Sequence, residues 1–149
     1  MYSRSTRISK KKESNSVLEQ VKIDLSRYRL QRSAEMLASA KRELDAQDYL
    51  TANNRAYYCI FHAMRAVLAL DGIDFKKHSA VIAAFVKDYL KPEIISREYS
   101  DLIFNASLIR NHSDYDDFYV CSVEDTRALI AGAEKFHNAI AEYLAGKYV

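Results

Sequence analysis

The sequence has few residues that interrupt helices: its 149 residues include three glycines and one proline. Folds built from strands and tight turns use these two residues at the turns, because their backbone angles suit them. Ala, Leu, Ile, Arg, Lys and Glu are instead abundant in long periodic segments, and these residues favour helices. The composition therefore predicts an all-α fold, and its 49% hydrophobic and 28% charged residues are typical of a soluble globular domain.

Cysteine is also scarce, with Cys59 and Cys121 the two in the chain. Their separation matches neither a metal-ligand spacing nor a redox pair, so we predict two buried free thiols. No apolar run approaches the roughly 18 residues of a membrane span. The N-terminus lacks the apolar region of a secretory signal. We therefore expect a cytoplasmic protein without membrane contact.

Common catalytic and nucleotide-binding motifs are absent as well. The sequence has no GxGxxG, P-loop, HExxH, cysteine cluster or Ser-His-Asp signature. Asp114, Asp116 and Asp117 are better explained as a solvated acidic loop than as ligands of a divalent cation. We therefore expect neither a metal site nor a cofactor.

The net charge of +2 conceals a basic N-terminus. The first twelve residues contain no acid and five bases: Arg4, Arg7, Lys10, Lys11 and Lys12. We predict that residues 1–15 form a flexible basic tail, either solvated or in contact with a nucleic-acid backbone. Residues 16–149 are predicted to form one helical domain.

Apolar residues at spacings of three and four predict an up-down bundle of four long helices and one short helix. Asp71-Gly72 is expected to stop the second helix, and Ser122 to cap the last. In the first helix, four residues are predicted to face the core: Leu30, Ala34, Leu37 and Leu44. Its basic residues are predicted to be solvated: Arg27, Arg29, Arg32, Lys41 and Arg42. The predicted helices cover about residues 16–46, 49–70, 79–90, 94 or 96–112, and 122–146.

Four polar residues follow one face of the second helix at spacings of three, four and three: Arg55, Tyr58, His62 and Arg65. They form either a hydrated face or the wall of a phosphodiester site. In such a site, guanidinium groups bind the phosphate oxygens, and His62 exchanges a proton near neutral pH.

Arg110 opens a dense polar run at the end of the fourth helix. It extends the apolar stripe of Ile103 and Ala106, and an inward arginine needs a partner. Asp114, four residues later, offers a simple ion pair. Alternatively, Arg110 enters the crevice and meets the polar face of the second helix. His112 would join it there only if the helix ended at that residue.

Three segments together resemble the small prokaryotic HEPN (higher eukaryotes and prokaryotes nucleotide-binding) domain proteins: residues 54–66, NRAYYCIFHAMRA; 77–82, KHSAVI; and 110–115, RNHSDY. The resemblance spans about residues 30–144. It implies a helical bundle that forms a homodimer and is often encoded beside a minimal nucleotidyltransferase as a toxin and antitoxin pair. Active members are metal-independent RNases. Their arginine steadies the phosphorane, and a histidine after four to six intervening residues moves the 2′-hydroxyl proton.

In this sequence the family's arginine maps onto Arg110 and the next polar residue onto Asn111. The positions expected for the histidine hold Tyr115, Asp116 and Asp117. The resemblance therefore implies reduced or absent cleavage. It also makes Tyr115 a candidate acceptor for AMP transferred by the nucleotidyltransferase.

Three functions remain open. The first is a HEPN partner protein that binds nucleotide or RNA through Arg110, His62 and five further residues: Arg55, Tyr58, Arg65, Asn111 and Asp114. The second is an RNase toxin in which His112 or His62 replaces the missing base, with a composite site in a dimer. The third is a helical interaction module, because residues 37–66 resemble one tetratricopeptide pair; about three repeats are needed for a continuous core.

Overall fold

The computed structural model describes residues 4–117 and 119–149, with side chains from residue 15 onward. The described residues form no strand, and their α-helices are α1 (Arg4–Asp45), α2 (Tyr49–Leu70), α3 (His78–Phe85), α4 (Ser100–Tyr115) and α5 (Val123–Ala145). The prediction of four long helices and one short helix is confirmed. Over the same residues, no helix combines the length and the apolar character that a bilayer span requires.

Local hydrogen bonds explain several helix ends. Asp48 caps α2 by accepting the backbone N–H of Thr51 at 3.1 Å, and Ser122 caps α5 by accepting that of Asp125 at 3.0 Å. Gly72, after the end of α2, has a φ of 70°, which glycine adopts without strain. The predicted limits of α2 and the cap at Ser122 are therefore confirmed.

The predicted start of α1 near Ser16 is wrong, because the helix begins at Arg4. Lys, Arg and Glu favour helices, and no glycine or proline occurs in this stretch, so nothing in it stops the helix. The side chains of residues 1–14 lie outside the described part of the chain. The flexibility of the basic tail and its contact with nucleic acid therefore stay predictions.

The helical segment that begins with α3 extends to Leu90, close to its predicted limits, whereas α4 departs from its predicted end. The backbone continues from α3 into a π-helical turn at Val86–Leu90, and a 3₁₀ turn at Arg97–Tyr99 leads into α4. α4 ends at Tyr115 rather than at His112. The N–H of Asp116 still donates to the carbonyl of His112 at 2.9 Å, which extends the helical bonding by one turn.

Helix α2 lies at the centre of the bundle and contacts each of the other four helices. More than half of its residues are buried, including Tyr57, Phe61 and Met64. On the far side of the core, the ring of Phe136 in α5 packs edge-on against Phe85 at 5.8 Å and Tyr99 at 5.1 Å between centroids. Aromatic packing thus joins α3, α5 and the turn before α4.

The contact between α1 and α2 is more polar than predicted. Leu37 is buried, but Ala34 is exposed, and Ser26 and Ser33 are buried instead. The hydroxyl of Ser26 donates to the carbonyl of Ala66 at 2.6 Å, and that of Ser33 donates to a second α2 carbonyl at 2.7 Å. Because both hydroxyls find partners on α2, their burial leaves no donor unpaired.

Two further predictions about burial need correction. Arg29, expected on a solvated face, is 6% exposed. It is buried because Asp74, in the loop after α2, accepts its Nη2 at 3.0 Å. Cys59 is a buried free thiol as predicted, whereas the free thiol of Cys121 is partly exposed because it lies in the loop before α5.

The packing of Phe136 predicts a large cost for truncating it. Phe136→Ala removes a fully buried ring, and such a cavity costs about 3–5 kcal/mol. Urea unfolding measures this change in the free energy of unfolding. Phe104→Ala is the matched control, since that ring is 63% exposed and should cost less than about 0.5 kcal/mol. Equal losses in the two variants would contradict this description of the core.

Candidate functional site

Arg110 extends from α4 across two aromatic rings of α2. Its guanidinium carbon lies 5.1 Å from the ring centroid of Tyr57 and 6.0 Å from that of Tyr58. Its Nε is 3.5 Å from a carboxylate oxygen of Asp114, yet this buried nitrogen makes no hydrogen bond. Both predicted placements of Arg110 therefore occur together: it is close to Asp114, and it enters the crevice against α2.

Tyr57 connects Arg110 to a histidine on α3. The hydroxyl of Tyr57 and Nδ1 of His78 are hydrogen-bonded at 2.9 Å. Burial raises the pKa of Tyr57 to about 12, although the charge of Arg110 opposes this shift. Burial also lowers the pKa of His78, and the charges of Arg110 and Arg65 lower it further. At neutral pH the pair is therefore a neutral phenol and a neutral imidazole.

His78 was not among the predicted site residues. In the structure Tyr57 contacts both groups: its hydroxyl is hydrogen-bonded to His78, and its ring lies against the guanidinium of Arg110. The ring of His78 also stacks on Phe61, with centroids 4.0 Å apart and an interplanar angle of 24°. The one available sequence signal was its place in the Lys77-His78-Ser79 segment of the family resemblance.

His62 lies on a different side of α2. It lines a groove of about 650 Å³ between α1 and α2, together with Arg55 and Tyr58. Burial lowers the pKa of His62 to about 4, with contributions from nearby arginines, chiefly Arg32 and Arg65. Its buried Nδ1 has no hydrogen-bond partner. At neutral pH His62 is thus an uncharged ring and a weak proton acceptor.

Tyr58 joins the two halves of the predicted site. Its ring centroid is 5.9 Å from that of His62 and 6.0 Å from the guanidinium carbon of Arg110. Arg55 and Asp114 line a cleft of about 250 Å³ between α2 and α4. Among the described contacts, none joins Arg110 directly to His62. The structure therefore groups Arg55, Tyr58, Arg110 and Asp114.

Three predicted residues face elsewhere. His112 stacks on Tyr119 with centroids 5.6 Å apart. Because α4 remains helical to Tyr115, residues 110 and 112 lie on different faces. Asn111 is exposed, and Tyr115 is 85% exposed. His112 would have joined Arg110 only if α4 ended at His112, and α4 continues to Tyr115.

Arg65 forms a salt bridge with Asp74 in the loop after α2. Its Nη2 lies 3.1 Å from Asp74, whose carboxylate also pairs with Arg29 at 3.0 Å. Burial would raise the pKa of Asp74, but the guanidinium groups of Arg29 and Arg65 outweigh that effect and lower it. We refer to these three residues as the Asp74 clamp. Any phosphate at Arg65 must compete with this carboxylate.

The grouped residues offer a cation on aromatic rings and a second guanidinium nearby. This combination suits a phosphate oxygen with an adjacent planar group. In the described ranges, no cluster of three or more His, Cys, Asp and Glu side chains is placed to hold a metal ion. The grouped side chains therefore have the chemistry to contact a phosphodiester.

The low pKa of His62 predicts a loss of stability in acid. Between its unshifted value of 6.5 and about 4, the unfolded chain binds a proton that native His62 does not. The free energy of unfolding should therefore fall as the pH drops through this window. His62→Gln should reduce the fall, measured by urea unfolding at about pH 7 and about pH 5. The exposed His112→Gln is the control; if both variants keep the full pH dependence, His62 is not its source.

Comparison with known proteins agrees with this architecture. The HEPN domain model matches residues 26–143. A UPF0332 protein of Thermotoga maritima is 31% identical over 117 residues, which cover 78% of this chain and 89% of that protein. Two Methanocaldococcus jannaschii proteins named putative toxins are 27% and 31% identical. These matches cover 80% and 74% of this chain and 82% and 81% of the relatives. The chain is therefore a member of the HEPN domain family.

Proposed function

We propose that this protein is the HEPN component of a toxin–antitoxin-type pair and that it binds RNA, with reduced or absent cleavage. The observation that carries the proposal is the placement of Arg110 over Tyr57 and Tyr58, with 25% of its side chain exposed. The putative-toxin names of two relatives support the toxin–antitoxin assignment.

The environment of Arg110 favours a phosphate over its present partner. Aromatic rings restrict the guanidinium, so less conformational entropy is lost when it binds. The carboxylate of Asp114 is 39% exposed and lies 3.5 Å away. A solvent-screened pair of this kind contributes less than about 1 kcal/mol. A phosphodiester accepting two guanidinium hydrogen bonds would therefore replace it favourably.

Arg55 and Tyr58 complete the proposed surface. Nη1 of Arg55 donates to Asn54 at 2.7 Å, and this bond holds the guanidinium beside the cleft that Asp114 also lines. The ring of Tyr58 lies between the Arg110 contact and the groove of His62. A single-stranded RNA crossing α2 would thus meet two cations and an aromatic ring.

Reduced cleavage follows from where the titratable groups lie. A general base must reach the proton that it removes, directly or through one water. His62 has no described contact with Arg110, and His112 lies on another face of α4. Tyr115 and two carboxylates occupy the positions of the family's histidine. If cleavage does occur, His78 is better placed than His62 or His112, because Tyr57 connects it to Arg110.

The proposal includes two protein partners that the family resemblance implies: a second copy of the chain and a minimal nucleotidyltransferase. An exposed apolar face on α1, between Val17 and Tyr28, is consistent with a protein partner. Its members are between 39% and 62% exposed: Val17, Leu18, Val21, Leu25 and Tyr28. A contiguous apolar surface of this kind commonly marks a protein contact.

RNA binding is tested with a fluorescein-labelled oligouridylate and anisotropy. Arg110→Ala should weaken binding about tenfold, because a charge-assisted contact to phosphate is lost. It should also reduce the dependence of affinity on salt by about one phosphate contact. Arg127→Ala, which removes an exposed arginine of α5, is the matched control and should have little effect. Equal effects of the two variants would contradict the proposed surface.

The same samples separate binding from cleavage. With EDTA present, the oligouridylate should remain intact after prolonged incubation with wild-type protein. Rapid cleavage that is lost in Arg110→Ala would instead establish the alternative, a metal-independent RNase. An isolated chain that binds neither RNA nor a nucleotidyltransferase would favour the plain interaction module.

Tyr115 provides a test of the nucleotidyltransferase pairing. Its phenol is 85% exposed, so its oxygen is accessible for attack on the α-phosphorus of ATP. This reaction forms Tyr-O-AMP and releases pyrophosphate and a proton. After co-expression with the proposed partner, a minimal nucleotidyltransferase, intact-mass measurement should find one AMP on wild type and none on Tyr115→Phe. The control is Tyr49→Phe, at a partly exposed tyrosine at the start of α2, outside the apolar face of α1. Modification that persists in Tyr115→Phe would refute the assignment of this acceptor.

A further inference from the structure

The loop between α2 and α3 presents an aromatic ring to solvent beside basic side chains. Phe75 is 45% exposed and lies in a cleft of about 410 Å³ lined by Phe61, Arg65, Asp74, Phe75, Lys76 and His78. We call this the Phe75 cleft. Nearly half of the ring is left in water, so its exposed part contributes nothing to the core and is available to a ligand.

The Asp74 clamp fixes the position of this loop. The backbone N–H of Phe75 donates to Oδ1 of Asp74 at 2.9 Å. The same carboxylate pairs with Arg29 of α1 and with Arg65 of α2. Gly72 supplies the turn that follows α2, with its φ of 70°. Phe75 therefore follows Asp74, which is held to both α1 and α2. Because the loop is already held in place, a ligand that covers the Phe75 ring loses little binding free energy to ordering of the loop.

The neighbours of Phe75 include rings, cations and the carboxylate of Asp74, which pairs with Arg65 and leaves Lys76 as the cation without a described partner in the cleft. His78 stacks on Phe61 at 4.0 Å, and the guanidinium of Arg65 lies 5.7 Å from the same ring. Lys76 adds an exposed ammonium group to the cleft. Surfaces that bind single-stranded nucleic acid combine these elements, because bases stack on rings while cations contact phosphates.

The Phe75 cleft is connected to Arg110 through two residues. His78 lines the cleft and is hydrogen-bonded to Tyr57 at 2.9 Å. The ring of Tyr57 in turn carries the guanidinium of Arg110 at 5.1 Å. The positive charge of Arg110 also lowers the pKa of His78, which places the two groups within electrostatic reach. The distances of 5.1 Å from the Arg110 guanidinium to the Tyr57 ring and 5.9 Å from that ring to His78 limit the separation of the guanidinium and the imidazole to about 11 Å. The proposed phosphate site and the cleft are thus close enough for one strand to reach both.

We propose that Phe75 stacks on a nucleobase of single-stranded RNA whose backbone is bound at Arg110. The Phe75 cleft is then a base subsite, and Lys76 contacts the phosphate next to the stacked base. This inference rests on the proposed function, because it requires that Arg110 binds RNA. It adds the element that recognises a base rather than the phosphate backbone.

Tryptophan fluorescence provides a direct test, because the chain contains no tryptophan. Phe75→Trp introduces one indole into the cleft. Oligouridylate should quench its emission by stacking, whereas an abasic oligomer of equal length should not. Phe104→Trp is the matched control, since Phe104 is 63% exposed on α4, and its emission should change little with either ligand.

Affinity provides the second measurement. Phe75→Leu keeps an apolar side chain but loses the ring, so binding of oligouridylate should weaken about tenfold. Phe75→Trp should retain wild-type affinity, and Phe104→Leu should have no effect. On the abasic oligomer, wild type and Phe75→Leu should bind equally. Equal losses on both ligands would overturn the stacking role.

Failure of this inference is distinguishable from failure of the proposed function. RNA binding that depends on Arg110 but neither quenches Phe75→Trp nor weakens in Phe75→Leu would overturn the inference alone. A wild-type protein that does not bind oligouridylate would overturn both. If Phe75→Leu dissociates a dimer in sedimentation while RNA affinity is unchanged, the ring belongs to a protein interface, and the base subsite is refuted.

Discussion

The position of α2 between the other four helices decides where each candidate site residue faces. A helix with neighbours on all sides must turn every ridge toward some partner, so one polar stripe does not form one uniform surface. Arg55, Tyr58 and His62 share the groove with α1, and Arg65 meets the loop before α3. Arg55 and Tyr58 also reach the boundary with α4. The stripe that looks continuous in sequence therefore faces three neighbours, and two of its residues face more than one.

Two arginines show how the surroundings of a side chain decide between a stabilising role and a ligand-binding role. Arg29 is buried and pairs with Asp74, so its charge stabilises the junction of α1, α2 and the following loop. Arg110 lies on aromatic rings, keeps an unbonded Nε and has an exposed carboxylate as its nearest acid. Removing Asp74 would leave the charge of Arg29 buried without a partner. Arg110 can exchange Asp114 for a ligand.

Much of the fold could be predicted from local signals. The limits of α2, the cap at Ser122 and the stop at Gly72 depend on residues within one turn of the helix end. The entry of Arg110 into the crevice followed from its place on an apolar stripe. The burial of Arg29 was missed because its partner lies 45 residues away. The pairing of Tyr57 with His78, 21 residues apart, was missed for the same reason. Helical periodicity describes one face of one helix, and these contacts are set by tertiary packing.

The central claim is that Arg110 binds the phosphodiester backbone. Nitrogen-15 NMR of the arginine Nε–H groups observes the Arg110 guanidinium directly. The Arg110 resonance is assigned as the one that is lost in Arg110→Ala. On addition of oligouridylate, the Arg110 Nε–H resonance should shift, because a phosphate bound to the exposed part of the guanidinium changes the environment of the buried Nε. An unchanged Arg110 resonance in RNA-saturated protein, with shifts confined to other arginines, would contradict the account.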